Sequence, residues 1–320
     1  MKDPKSIRIV FMGTPGFAVG VLQKLVEEQY NVVAVITAPD KPAGRGQQFR
    51  QSEVKQYAVS KNLRVLQPEK LKSPEFLEEL KACNADLQIV VAFRMLPEAV
   101  WQMPPMGTFN LHASLLPQYR GAAPINRAIM NGETKTGVTT FFLQQQIDTG
   151  NILFREEVRI GENENAGELH DKLMIVGAGL VTKTVDAIGD GTCKPVSQEQ
   201  FVAPGEVLHD APKIFRDDCR IDWKKTGQQI HDHVRGLSPY PGAWTTLNFP
   251  GDTQPPVEIK VFRTVFVPGT SAEKDFKPGF QRVQVEGGYI EIKEVQLPGK
   301  RRMPVEDLLR GNPLEGAYVL

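Results

Sequence analysis

Cysteine is scarce in this chain. Cys83, Cys193 and Cys219 lie far apart in 320 residues, and none forms a Cys-x-x-Cys pair. That argues against a zinc ribbon or a redox dithiol, and an odd, sparse count does not make a disulfide framework. Net charge is also missing: Lys plus Arg equals Asp plus Glu, 38 against 38. Any polyanionic partner must therefore be held by local patches rather than by overall basicity. Long apolar runs are absent. The first one, Ile7 to Met12, is too short for a signal segment or a membrane span. A reduced, cytoplasmic compartment is the expectation. What is present is ordinary globular composition, 41% hydrophobic and 24% charged, which excludes a disordered or fibrous chain. The length suggests roughly two domains.

The first half alternates in period. Ile7 to Met12 reads as a buried strand and Phe17 to Glu28 as a helix. Val32 to Ile36, Val65-Leu66, Leu87 to Phe93 and Thr108 to His112 read as further strands, with a helix around Pro74 to Ala82. Short apolar strands between helices predict a parallel sheet covered on both faces. The turn-rich run Pro39 to Gly46 predicts an irregular loop. Two strands follow, Thr136 to Gln145 and Ile152 to Ile160, then a long helix from Ala166 to Ile188 and an extended linker to about Leu208. From Asp210 the pattern changes to one helix, about Thr226 to Val234. After it come short strands at 243–248, 257–266, 282–285 and 289–295, the pattern of a small β-barrel. The expected layout is thus an α/β, open, mostly parallel Rossmann-like domain over 1–189, a linker over 190–208, and an OB-like β-barrel over 209–320.

Gly13-Thr14-Pro15-Gly16-Phe17-Ala18 sits where a dinucleotide fingerprint would sit. It lacks the full glycine spacing, and Pro15 removes a backbone N–H that a pyrophosphate would use. It reads as a tight strand-to-helix turn. Asn110 and His112 are two apart on one strand and share a face. Pro117 and Gly121 then end regular pairing, which places the pair near a strand's carboxyl end, where open α/β sheets bind ligands. An amide beside an imidazole can polarise a carbonyl and hold an oxyanion. A lone histidine in an apolar strand is usually structural; Asn110 and the following loop point to a site. Asp148, in the turn Ile147-Asp148-Thr149-Gly150, alone reads as a turn aspartate. A carboxylate near His112 would instead hold the ring and fix its tautomer. The five histidines show no metal-ligand spacing, and His231 and His233 on one helix would face different ways.

Asn110-Leu111-His112-Ala113-Ser114-Leu115-Leu116-Pro117, then Arg120-Gly121, then Asp148-Thr149-Gly150, resembles the folate-dependent formyltransferases. Supporting segments are Phe11 to Ala18, Pro42 to Gly46, Ala211 to Ile214, Arg220 to Trp223 and Pro239 to Ala243. The resemblance covers nearly the whole chain, and the Arg-Gly loop with the C-terminal module is what singles out the branch acting on tRNA. Phe93-Arg94 stands where the family commonly has Tyr-Gly, and Gln144 to Ile147 departs from the usual run before the aspartate.

The resemblance implies transfer of a formyl group from 10-formyltetrahydrofolate to the α-amine of methionyl initiator tRNA, with Asn110, His112 and Asp148 as catalytic residues. It implies a folate site along Ser114, Leu115, Leu116 and Pro117 with a wall at Phe93. Lys41 and Arg45 would meet the tRNA. So would Lys300-Arg301-Arg302, since residues 210–320 hold 16 Lys/Arg against 15 Asp/Glu and no broader basic face announces itself. No metal and no membrane are implied, and a monomer is expected. The alternatives are formyl transfer to a small amine, such as glycinamide ribonucleotide or an amino sugar, and a non-catalytic nucleic-acid-binding protein.

Overall fold

The computed structural model describes residues 2–43, 48–252, 255–269, 280–311, 314 and 316–319. The chain folds into two compact units. The first holds Met1–Gly121, Thr136–Val158 and His170–Asp210; the second holds Ala122–Lys135, Arg159–Leu169 and Ala211–Leu320.

In the first unit β1 (Ile9–Gly13), β2 (Val32–Ile36), β5 (Val65–Leu66), β6 (Leu87–Val91) and β7 (Thr108–His112) form the sheet with β9 (Lys135–Phe142) and β10 (Ile152–Arg159). The strand order is β10-β9-β7-β6-β1-β2-β5. The pairings β5-β2, β2-β1, β1-β6 and β6-β7 are parallel, and β9 joins β7 antiparallel. The apolar runs explain this: β1 and β6 are buried along their whole length, as strands of a parallel sheet covered on both faces must be. Helices α1 (Gly16–Glu27), α2 (Glu53–Ser60), α3 (Pro74–Ala82), α4 (Glu98–Trp101) and most of α6 (Ala166–Gly189) belong to this unit. Ser52 and Ser73 cap α2 and α3 through their side chains. Gly13 ends β1 because a Cβ there would meet the Cβ of Ala18 at 2.5 Å.

Two sequence expectations need correction. Pro39–Gly46 is not wholly irregular: β3 (Lys41–Ala43) pairs antiparallel with β4 (Gln48–Arg50). The segment after α6 is also not a bare linker. Val196 bridges to Ile152 with reciprocal backbone hydrogen bonds of 2.8 Å, and Gln198–Phe201 forms a 3₁₀ turn. Two short strands, β8 (Arg120–Gly121) and β11 (Asp210–Ala211), flank the regions discussed below.

In the second unit α5 (Pro124–Met130) packs on α7 (Gly227–Leu237). Strands β12 (Ala243–Asn248), β13 (Val257–Pro268), β14 (Arg282–Val285), β15 (Gly288–Gln296), β16 (Met303–Pro304) and β17 (Tyr318–Val319) form an antiparallel sheet. It is a nearly closed barrel, with α8 (Val305–Gly311) packed on β15 and β16. β12 alternates buried and half-buried residues, the pattern of a strand with one face on a core. That core includes Ile230, Val234, Leu247, Ile259, Val261, Ile290 and Ile292. α7 starts with a full capping box between Thr226 and Gln229.

Candidate active site

β7 lies between β6 and β9, with Asn110 opposite Val90 and Phe141 and His112 opposite Thr139. Alternation sends Phe109 and Leu111 into the core on one side, at 0% and 3% exposed. Asn110 and His112 share the other side, as the sequence predicts. The Asn110 Oδ1 is buried and makes no hydrogen bond among the described residues. A buried amide oxygen without a protein partner is costly unless something else uses it.

His112 is held from one side. Its Nε2 lies 2.8 Å from the carbonyl oxygen of Tyr119. A carbonyl only accepts, so Nε2 carries the proton and donates. The neutral ring then keeps its lone pair on Nδ1. That atom faces the Asp148 Oδ2 across 3.9 Å. This distance exceeds a hydrogen bond. The tautomer is therefore set by the Tyr119 carbonyl and not by Asp148, which corrects the sequence expectation.

Asp148 comes from the turn between β9 and β10 and has a left-handed backbone, φ 54°. Its Oδ2 accepts from the Gly121 N–H at 3.0 Å. Its carbonyl accepts from the Arg120 Nε at 3.1 Å and from the Gln198 Nε2 at 2.8 Å. Gly150 closes the turn: a Cβ there would sit 1.6 Å from the carbonyl oxygen of Phe142. The glycine is a steric requirement of this turn, which rests directly on the end of β9.

The loop 114–117 faces inward. Ser114 and Leu116 are fully buried. The Ser114 hydroxyl donates to the Gln118 carbonyl at 2.6 Å. Leu116 packs with Phe141 and Ile152, and its N–H donates to the Thr139 hydroxyl at 3.1 Å. Pro117 is buried as well, and Leu115 is half-buried. The buried side chains of this loop shape the turn, and a ligand beside it would meet backbone and Leu115.

A separate hollow of about 540 Å³ lies beyond the carboxyl ends of β1, β2 and β6, lined by Thr14, Pro39, Asp40, Lys41, Phe93 and Arg94 among others. It brings Phe93, expected at the folate wall, together with Lys41, expected at the tRNA. The Arg94 guanidinium lies over the Phe93 ring at 5.6 Å and donates to the carbonyls of Glu69 and Pro68. Burial pushes the pKa of this guanidinium down. The Asp40 carboxyl is held below its usual range by hydrogen bonds from Lys55 and Gln67. Asn110, His112 and Asp148 do not line this hollow.

Arg45 lies outside the described residues. Lys300, Arg301 and Arg302 are exposed after β15. Arg302 pairs with Glu294 and covers the Phe262 ring at 4.5 Å, so Lys300 and Arg301 are the less engaged charges. Among the described residues no group of three His, Cys, Asp or Glu could hold a metal ion, and no helix is long and apolar enough to cross a membrane.

Arg120, Thr139 and Gln198 were not singled out as site residues by sequence reasoning. Arg120 carried a signal, as part of the Arg-Gly loop. Gln198 carried none, because nothing local distinguishes a buried glutamine in a polar stretch.

Comparison with known proteins gives the lineage. Residues 7–185 match the formyl transferase family and residues 213–313 the formyl transferase C-terminal domain. A methionyl-tRNA formyltransferase of Bacteroides thetaiotaomicron is 52% identical over 318 residues, 98% of each chain. One from Phocaeicola vulgatus is 56% identical over 314 residues, 97% of each. Among solved structures, an N-formyltransferase from Helicobacter canadensis, in complex with folinic acid and dTDP-3-aminofucose, superposes with a TM-score of 0.62 at 20% identity. That match covers 89% of this chain and 98% of the other and supports the fold. The chain belongs to the formyl transferase family, with methionyl-tRNA formyltransferases as full-length relatives.

Proposed function

We propose that this protein transfers the formyl group of 10-formyltetrahydrofolate to the α-amino group of methionyl initiator tRNA. What supports this reading is Asn110 and His112 on one face at the carboxyl end of β7, with the Asp148 carboxylate 3.9 Å from His112, in a chain with relatives of that activity over nearly its full length.

Nδ1 of His112 and Oδ2 of Asp148 are two acceptors 3.9 Å apart. One donor group can reach both, since two hydrogen bonds of about 2.8 Å each meet across that gap at about a right angle. The incoming ammonium fits this position. It gives up a proton there and its nitrogen attacks the formyl carbon. The carbonyl π electrons move to oxygen, and the Asn110 amide, turned with its NH₂ outward, donates to the oxyanion. The attacking nitrogen then loses its second proton to the same His112–Asp148 pair. Collapse restores the C=O bond and breaks the bond to N10 of the folate, which takes up one of the two protons from His112, and the other leaves to solvent. The products are a formamide and tetrahydrofolate.

All three groups belong to one copy of the chain, so a monomer suffices. Phe93 and the backbone of loop 114–117 are the surfaces for the folate. Lys41 and Arg45 serve the acceptor end, and Lys300, Arg301 and Arg302 on the second unit serve tRNA phosphates. Translation initiation places the reaction in the cytoplasm. The test is incubation with 10-formyltetrahydrofolate and, in parallel, methionyl initiator tRNA, glycinamide ribonucleotide or a nucleotide-linked amino sugar. Formylation of the tRNA alone is expected. Formylation of a small amine with the tRNA untouched overturns the reading.

A further inference from the structure

We propose that the segment Ser197–His209 is a strap that sets the distance between His112 and Asp148, with Gln198 as a positioning residue for the carboxylate. This rests on the catalytic reading of Asp148.

Gln198 is 4% exposed. Its Nε2 donates to the carbonyls of Asp148 at 2.8 Å and Gly150 at 2.9 Å. Its Oε1 accepts from the Arg120 Nε at 3.1 Å and Nη2 at 2.6 Å. An amide side chain has two N–H donors and two lone pairs, and here all four are used. Turning the amide over would set oxygen against two carbonyls and NH₂ against a guanidinium, so only one orientation is stable. Gln198 thus grips the backbone of the Asp148 turn from inside, on both sides of Thr149. That turn needs a grip. Asp148 occupies a left-handed backbone region that an L-residue keeps only when its surroundings enforce it.

The far end of the strap grips the imidazole's partner. The Gln118 Nε2 donates to the Glu206 carboxylate at 2.8 Å and the Val207 carbonyl at 3.0 Å, and its Oε1 accepts from the His209 N–H at 2.9 Å. The Tyr119 N–H donates to the His209 carbonyl at 2.6 Å, and the two rings stack with centroids 5.7 Å apart. The Tyr119 carbonyl is what holds His112. Glu206 also caps the Ala203 N–H at 2.8 Å, which keeps the strap's own turn closed. One short piece of chain therefore fixes the Asp148 turn at one end and the His112 acceptor at the other. The antiparallel bridge Ile152–Val196 sets where the strap begins. The 3.9 Å gap is a distance between two loops that meet through this segment.

The experiment compares Gln198→Leu, Gln118→Leu and Asp148→Asn in the full-length protein, assayed for formylation of methionyl initiator tRNA. Gln198→Leu removes four hydrogen bonds at nearly constant volume. It should lower kcat about 10- to 100-fold, the scale expected for a reacting group displaced by up to about an ångström. KM for both substrates should stay within about twofold, and the pH profile of kcat should move, which a loss of folded protein alone would not produce. Gln118→Leu should do the same to a smaller degree through His112. If Gln198→Leu does not fold, Gln198→Asn, too short to reach Arg120 and both carbonyls at once, is read in its place. Wild-type kcat in the Gln198 variant beside an inactive Asp148→Asn overturns the strap and leaves the catalytic reading intact. A fall in kcat that tracks thermal stability with an unmoved pH profile also overturns it. An active Asp148→Asn overturns the catalytic reading itself.

Discussion

Each unit buries histidine, and they do so to different ends. In the first, His112 has one ring nitrogen committed to a main-chain carbonyl and the other facing a carboxylate just out of hydrogen-bonding range. In the second, α7 carries His231 and His233. The His231 Nδ1 lies 3.1 Å from the Thr264 hydroxyl, and His233 is enclosed with its Nε2 unpartnered among the described residues. Burial pushes both of these pKa values down. Arg235, on the same helix, is paired with Asp232 at 2.7 Å and donates to the carbonyls of Gly161 and Glu164. The second unit spends His231, Asp232 and Arg235 on closing contacts. The first leaves an amide oxygen without a partner among the described residues and an imidazole nitrogen facing a carboxylate beyond hydrogen-bonding range. Burial is common to both, and His233 shows that an unpartnered ring nitrogen is too, so neither marks the site alone; in the first unit the open imidazole nitrogen faces a carboxylate and shares a strand face with an unpartnered amide oxygen.

The sharpest break of this comparison is mutational. Asn110→Ala should lower formylation turnover about 10²- to 10³-fold, the usual loss for one oxyanion donor, and Asp148→Ala about 10²- to 10⁴-fold, the scale for a lost proton acceptor, with folate KM little changed by steady-state kinetics in both. Near-wild-type turnover in both would erase the distinction between the units. His231→Leu, by contrast, should leave the Thr264 hydroxyl buried without its partner and cost about 1–3 kcal/mol of stability in denaturant titrations.

The same histidines give a pH dependence. Their folded pKa values lie below the unfolded value of about 6.5. Below that pH the unfolded chain takes up protons that the folded chain refuses. Stability should therefore be flat above about pH 6.5 and fall as pH drops toward the folded values. Unfolding titrations at neutral and mildly acidic pH check this, and His231→Gln should shrink the difference. The smallest expected effect is on the surface. Lys300→Ala should reduce the salt slope of tRNA binding by about one, and an unchanged slope would remove this loop from the interface.

Much of the fold was legible because its strands are simple objects. The apolar runs of β1, β2 and β6 and the alternation of β12 announce buried and half-buried strands without any long-range information. Asn110 and His112 were legible as a pair because side chains two apart on a strand share a face. Their partner Asp148 was not legible from spacing, because it arrives from another turn through a backbone conformation that only tertiary contacts enforce. Resemblance supplied it. β3 and β4 were missed because a proline and two glycines mask a two-stranded ribbon. Gln198 was missed because its function is to satisfy carbonyls and a guanidinium that are distant in sequence, and no residue pattern records such contacts.

The oxygen that orients His112 belongs to the peptide group of residue 119 rather than to a side chain. No codon change can delete it. Replacement of the tyrosine could disturb the stacking against His209, yet every amino acid supplies the same acceptor at that point. The imidazole's protonated nitrogen is therefore specified by the path of the main chain, so variation at position 119 threatens it only by moving the loop.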